Sequence, residues 1–317
     1  MAREMRFGIQ TGPQLVTWPE LVDIWQVADG LKFDTAWTFD HFFPIMADPK
    51  GPQLEGWVTL TALAMTTRQV RVGTLVTGIT YRHPSVLAKM GASLDVITGG
   101  RLEMGLGAAW FQGEHEALGI PFPPVAERIK RLGEACEVIT RMWAEEAATW
   151  KGQYYEINQA YCNPKPVQKP RPPILIGGGG EQLTLKMVAR YADTWNAFGP
   201  PEIFRHKIRV LEQHCRAVGR DPQSIERSVS LPPVLTKDRS RVDTMLADMA
   251  NRRAMTIEDA RASMLWGSPD DAIKKLEAFR ELGVTHIILS LRPPYDAGQL
   301  EMFAREVMPA FRQKVPV

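Results

Sequence analysis

Residues 173–198 read PILIGGGGEQLTLKMVARYADTWNAF. An apolar run ends at Ile176 and four glycines follow it, Gly177, Gly178, Gly179 and Gly180. A helix is expected from about Glu181, and Thr194 to Phe198 begin a second apolar run. Short β-type runs bounded by glycine and separated by a helical stretch are the repeating unit of a parallel sheet.

The same unit recurs outward in both directions. Strand-type runs occur at 7–11, 35–39, 70–76, 102–106, 174–176, 194–198, 229–235 and 285–289. Between them, Val86, Met90, Leu94 and Ile97 recur at helical spacing, as do Val125, Ile129, Leu132, Cys136, Ile139 and Trp143. Phe204, Ile208, Leu211, Cys215 and Val218 form a third such stripe. Steps of three and four put these side chains on one helical face. Ser268, Pro269 and Gly283 read as the cap, first turn and stop of another helix. Eight strands alternating with helices predict one α/β domain over 1–317, a (β/α)8 TIM barrel. The rival is an open, doubly wound sheet. Its glycine fingerprint should follow the first strand, where this chain has Thr11-Gly12-Pro13-Gln14.

The length of 317 residues suits a barrel of roughly 250 residues with insertions. Three insertions are expected: 42–55 after strand two, 145–173 after the fourth helix, and 237–266 after strand seven. The second reads as a hairpin over 150–157 and 160–164. The third has a helical stretch at 242–253. Such loops serve as lids and binding walls, or as surface and oligomer contacts.

A net charge of +2 gives no reason to expect nucleic acid or an anionic membrane as partner. No run of 18 apolar residues is present, and residues 1–10 carry Arg3 and Arg6 without an apolar leader core. Three scattered cysteines, Cys136, Cys162 and Cys215, suggest neither a disulfide framework nor a zinc site. A reduced, cytoplasmic enzyme is the simplest reading.

Barrel enzymes build their sites at the carboxyl ends of the strands. That rule selects His41, which ends the second strand after Asp40 and can exchange a proton near neutral pH. A histidine merely hydrogen-bonded at a strand end is the alternative. His206 and His214 read as solvated, His286 as part of the opposite, stability face, and His83 and His115 as a helix entrance and a loop. Glu114-His115-Glu116 reads as a polar loop or helix start, and no metal is expected. The glycines at 177–180 suit a cofactor phosphate, because they let backbone N–H groups approach an anion at a helix start. A tight turn without a ligand is the alternative. Gly107 and Ala108 would let a flat ring approach the fourth strand, with Trp110 and Phe111 as aromatic walls.

Together these stretches resemble the luciferase-like monooxygenase superfamily, and within it the branch that uses the deazaflavin coenzyme F420. The resemblance is carried by Thr38-Phe39-Asp40-His41-Phe42, Val72-Gly73-Thr74-Leu75-Val76-Thr77, Tyr81-Arg82-His83-Pro84 and the run from Gly100 to Ala108. Pro121-Phe122-Pro123-Pro124, Cys162-Asn163-Pro164-Lys165-Pro166, Ile174 to Gly179 and Ala192 to Asn196 continue it. It implies that Asp40 and His41 sit beside the deazaflavin ring and that a non-proline cis peptide at Leu75-Val76, within a bulge, supports it. Thr74 and Thr77 belong to that support, the glycines to the phosphate site, and the assembly to a homodimer.

The sugar-phosphate dehydrogenases of the branch have glutamates where this chain has Trp110 and, near the first strand, Gln14. They have a tryptophan near Ile45. Glucose 6-phosphate is therefore not expected as substrate. With Trp57, Trp110, Phe111, Phe43 and Phe198 available, an apolar ketone, imine, activated alkene or aromatic compound is. The resemblance thus implies hydride transfer with F420, His41 handling the proton. The alternatives are an FMN monooxygenase fed by a separate reductase, a non-catalytic flavin-binding relative, and an unrelated sugar-phosphate barrel.

Overall fold

The computed structural model describes residues 4–312. Those of the N-terminal stretch before residue 4, Arg3 included, lie outside the described residues. The chain runs β1 (Arg6–Gln10), α1 (Trp18–Gly30), β2 (Thr35–Asp40), α2 (Gly56–Thr66), β3 (Arg71–Gly78), α3 (Pro84–Ile97) and β4 (Leu102–Gly107). Then come α4 (Gln112–Ala117), α5 (Val125–Ala144), the outlying strands β5 (Ala147–Lys151) and β6 (Glu156–Tyr161), and β7 (Ile174–Gly177). α6 (Thr184–Tyr191), β8 (Thr194–Ala197), α7 (Pro201–Ala217) and β9 (Glu226–Leu231) follow. The chain continues through β10 (Pro233–Leu235), α8 (Val242–Arg252), α9 (Ile257–Ser263), β11 (Leu265–Gly267), α10 (Pro269–Glu281), β12 (Val284–Ser290) and α11 (Ala297–Met302).

Eight of the strands close a barrel in the order β1-β12-β9-β8-β7-β4-β3-β2. Closure rules out the open-sheet rival. β1 seals it, pairing in parallel with β12 through Phe7 opposite Ile287 and with β2 through Gly8 opposite Thr35. Close approach between strands depends on glycine at Gly105, where a Cβ would stand 1.7 Å from the Thr74 carbonyl oxygen. Trp37, Leu75, Leu175 and Ile288 plug the interior. Outside, buried side chains such as Phe7, Trp25, Leu132 and Phe279 fill the layer between strands and helices. Each fully buried side chain of this size contributes about 1.5–3 kcal/mol.

The three insertions fall where expected, with different edges. Residues 42–55 form an irregular loop. The hairpin is β5 against β6, antiparallel, rather than 150–157 against 160–164. It is tied to α5 by the Glu134 carboxylate, which accepts the N–H groups of Gln153 and Tyr154 at 2.8 Å each. The expected seventh strand, 229–235, is two elements. β9 belongs to the barrel, whereas β10 leaves it and pairs in parallel with β11. Pro232 separates them, and proline cannot donate to a ladder. Between β10 and β11, α8 and α9 build a second small core from Val234, Leu246, Ala250 and Met264.

At the amino end of the barrel, Arg6 bridges Glu103 and Glu226, and His286 lies 2.9 Å from the Thr35 hydroxyl and 3.5 Å from Glu226. Burial pushes the Glu226 carboxyl up, but bonding to His286 and the charge of Arg6 outweigh it and hold it at about 2. His286 therefore sits at the end expected for it. Cys136, Cys162 and Cys215 are buried and free. No helix among the described residues is long and apolar enough to cross a membrane.

Candidate active site

The carboxyl end of β2 delivers Asp40 and His41 to opposite tasks. Asp40 is fully buried, and its carboxylate receives a bidentate ion pair from Arg82, at 2.6 and 3.1 Å. Burial raises its pKa, and Arg82 opposes that rise. Arg82 also binds Glu55, the N-cap of α2. The Asp40 carboxylate is thus engaged by Arg82.

His41 is 7% exposed. Its Nδ1 lies 3.0 Å from Glu114 Oε2. The other oxygen of Glu114 accepts the backbone N–H of Phe42 and, at 2.8 Å, that of Phe43. The Tyr81 hydroxyl donates to Oε2 at 2.5 Å. Burial alone would push the Glu114 carboxyl up, yet the bonds from His41, Tyr81 and Phe42 hold it below the usual range. Burial and Glu114 push the Tyr81 phenol up, so it stays a neutral donor. A carboxylate on Nδ1 places the ring proton there and orients the imidazole. Among the described residues, Nε2 has no hydrogen-bond partner and is the atom left for a ligand.

Aromatic rings surround the imidazole. Trp110 meets it edge-on with centroids 5.5 Å apart, and Phe111 lies at 6.1 Å. Trp110 and Phe111 stack on each other at 5.3 Å, with Trp110 still 55% exposed. Ala109 turns the chain here with φ +61°, a left-handed conformation that a residue with a side chain adopts at some cost. Arg128 on α5 donates to the Ala108 carbonyl at 3.1 Å and steadies that turn.

Beside His41, the Leu75–Val76 peptide is cis, and the pairing of β3 with β4 slips between Gly73 and Thr77. Gln10 donates to the Leu75 carbonyl at 2.9 Å. Leu75 points into the barrel core, whereas Val76 is half-buried. Gly107 and Gly177 flank Val76; a Cβ on either would stand 2.5 and 2.9 Å from its methyl groups. Thr74 and Thr77 are buried, with their hydroxyls 2.8 Å apart, and Thr77 also accepts the Trp57 indole N–H at 2.9 Å. Their side chains are committed inward, so only their backbones remain for a ligand. Trp57 itself is 3% exposed and is no substrate wall, a correction that follows from its role as the first buried turn of α2.

Past β7 the glycine turn is longer than expected: α6 begins at Thr184, not near Glu181. Gly178 adopts φ +126°, its N–H donates to Asn196 and its carbonyl accepts the Trp195 indole at 2.8 Å. Lys207 on α7 reaches the turn and donates to the Gly179 carbonyl at 2.6 Å, with Glu181 at 3.3 Å. Gly179 and Gly180 donate to no backbone acceptor among the described residues.

Four positions went unrecognised in the sequence. Glu114 is fully buried and central, and the triplet that contains it is helix α4. His115, assigned to a loop, is buried there, stacked on Tyr81 at 4.8 Å. Tyr81 and Lys207 complete the set. The one available signal was an acid four residues beyond the exposed Trp110, on the helix that follows a strand end. His206 is exposed, as expected, while His214 is half-buried against the Glu181 carbonyl at 2.8 Å. Gln14 is nearly buried and exchanges two hydrogen bonds with the Ile45 backbone. Among the described residues, no group of three or more His, Cys, Asp or Glu side chains could hold a metal ion.

Residues 5–263 match the family model for luciferase-like monooxygenase. The chain belongs to that family. A relative named F420-dependent glucose-6-phosphate dehydrogenase, from Microbacterium testaceum, is 28% identical, with 99% of each chain covered. The fold of this luciferase-like chain superposes on an F420-dependent secondary alcohol dehydrogenase in complex with an F420-acetone adduct, with TM-score 0.85 and 21% identity over 98% of this chain and 100% of the other. It superposes almost as well on riboflavin lyase with modified FMN, with TM-score 0.82 and 15% identity over 97% and 91%.

Proposed function

We propose that this chain is an oxidoreductase that transfers a hydride between coenzyme F420 and a small organic substrate with an apolar body. The observation that carries the reading is one arc of the barrel mouth, formed by β2, β3, β4 and β7. There the open Nε2 of His41, the Leu75–Val76 peptide, Gly107 and Gly177 lie in succession, ending at the glycine turn with Lys207. The full-length relatives named F420-dependent glucose-6-phosphate dehydrogenase support the cofactor.

The residues suit that group. Val76 and its flanking glycines would carry a flat ring, and the N–H groups of Gly179 and Gly180, with the Lys207 ammonium, would hold a phosphate. When bound, the deazaflavin supplies or accepts the hydride. The open Nε2 of His41 would exchange a proton with a substrate oxygen or nitrogen. The Glu114 carboxylate orients the ring through Nδ1 and offsets the imidazolium charge. Trp110 and Phe111 keep water from the reacting atoms and meet the apolar part of the substrate. Trp110 in place of an acid favours a substrate other than glucose 6-phosphate. The three buried thiols support a reducing compartment, and we read the chain as one cytoplasmic unit.

Anaerobic titration with oxidised F420 and with FMN, read by cofactor fluorescence, tests the reading. Micromolar F420 binding with negligible FMN binding is expected. Reoxidation of reduced F420 by a panel of ketones, imines and activated alkenes should then fall about 10²- to 10⁴-fold in His41→Ala. Preference for FMN, with oxygen consumption, would replace the proposal by a monooxygenase, and binding of neither would overturn the site.

A further inference from the structure

The other half of the barrel mouth, over β1, β12 and β9, holds a cavity of about 700 Å³ between the β10–β11 insertion and the segment after β12. Leu15, Met46, Val234, Met245 and Met249 give it an apolar lining, and Gln14 and Ser290 join it to the strand ends. Two guanidiniums, Arg253 and Arg292, face this lining. Arg253 lies just past α8, where Ala254 turns with φ +51°. Its Nε is buried without a hydrogen-bond partner. Arg292 is half-buried, and its side-chain contact is Met46 Sδ at 3.5 Å.

Neither arginine is paired with a carboxylate among the described residues. Three acids also line the cavity, but none lies within ion-pair distance of either arginine: Glu20 binds Thr17, Asp296 caps α11, and Asp248 is exposed on α8. Burial pushes the Arg253 guanidinium down to about 10, and the charge of Arg292 adds to that. Two like charges withdrawn from water without a counter-ion are costly. Arg presents a planar fork of donors that matches a carboxylate or phosphate.

The geometry points to an anion subsite, in which Arg253 and Arg292 bind a carboxylate or phosphate on the far end of the substrate while its apolar body crosses toward His41. This rests on the proposed function, which makes the mouth a substrate site, and narrows the substrate class to apolar organic anions. The subsite belongs to the insertion and to the segment after β12, whereas the glycine arc belongs to β2, β3, β4 and β7.

The test is calorimetric titration of the purified full chain, with and without F420, using phenyl phosphate, benzoate and the neutral benzyl alcohol. The phosphate and carboxylate probes should bind, the alcohol at least 10-fold more weakly. Which anion binds tighter assigns the group. R253Q/R292Q should weaken anion binding by about 10- to 100-fold, R253K/R292K by less, and both should keep F420 affinity within about two-fold. An unchanged melting temperature shows that the variants fold. Equal binding of the alcohol and the anions would overturn the subsite, as would anion binding unaffected in R253Q/R292Q. Loss of F420 affinity in that variant would overturn it too, by assigning the arginines to the cofactor. Failure of the wild type to bind F420, with anion binding still dependent on both arginines, would sink the cofactor and leave the subsite standing.

Discussion

His41 and Glu114 act as a pair, and the chain separates them by 73 positions. Removing the carboxylate while keeping the shape tests the pairing. Glu114→Gln should lower turnover about 10- to 100-fold, the loss of a charge-assisted bond worth about 1.5–3 kcal/mol, while F420 affinity changes little. The split of kcat from KM adds a readout that packing alone would not give: kcat should fall while KM stays within about two-fold. The carboxyl of Glu114 also links to stability. Its native pKa lies below the ordinary 4.5, so its contribution is fully present above that pH and is lost as the pH falls through the native value. Acid unfolding of Glu114→Gln should lack that component, as followed by circular dichroism on acidification from about pH 6. His41 was legible because a titratable residue at a strand end is conspicuous. Glu114 was not, because its neighbours His115 and Glu116 make the triplet look like a solvated helix start.

At the scale of elements, the glycine turn between β7 and α6 is the most exposed to test. Gly178 holds φ +126°, a region L side chains rarely adopt. Gly178→Ala should cost about 1–3 kcal/mol of stability by strain alone, measurable by chemical denaturation. Lys207→Ala leaves that backbone as it is. It should weaken F420 binding by about 10-fold or more, with the melting temperature nearly unchanged. An equal loss of stability in Lys207→Ala would mean that the ammonium serves the turn rather than a ligand. Four glycines after an apolar strand announced this turn. That the helix waits until Thr184, and that a lysine from α7 crosses to it, depend on how α6 and α7 lie against each other.

Across the whole molecule, two surfaces remain to be accounted for. At the amino end of the barrel, Glu226 joins Arg6 and His286 in a buried network. Glu226→Gln should destabilise the fold by about 1–3 kcal/mol, since it removes the charge that Arg6 and Thr194 bond to, and should leave F420 binding intact, because the network lies at the barrel end away from the site. On the flank, α2 and α3 expose Val58, Met65 and Ile97 along an apolar groove. Such a patch is larger than scattered surface residues and fits contact with a second copy. Light scattering coupled to size exclusion should give twice the chain mass of 35.6 kDa, and Met65→Glu should shift it toward the monomer.

The barrel could be read from the sequence alone because it rests on local periodicity: short apolar runs, helical stripes and the glycine and serine signals between them. His41, Gly107, Trp110 and the four glycines could be read for the same reason, since each sits at a strand end that the periodicity locates. Tertiary structure decided everything that depends on two strand ends meeting. It turned Asp40 inward to Arg82, buried Trp57 against Thr77, brought Glu114 to His41, and left Arg253 and Arg292 without carboxylates in one cavity. Local pattern carries no information about such pairings, because closure of the barrel sets the distance between residues far apart in the chain.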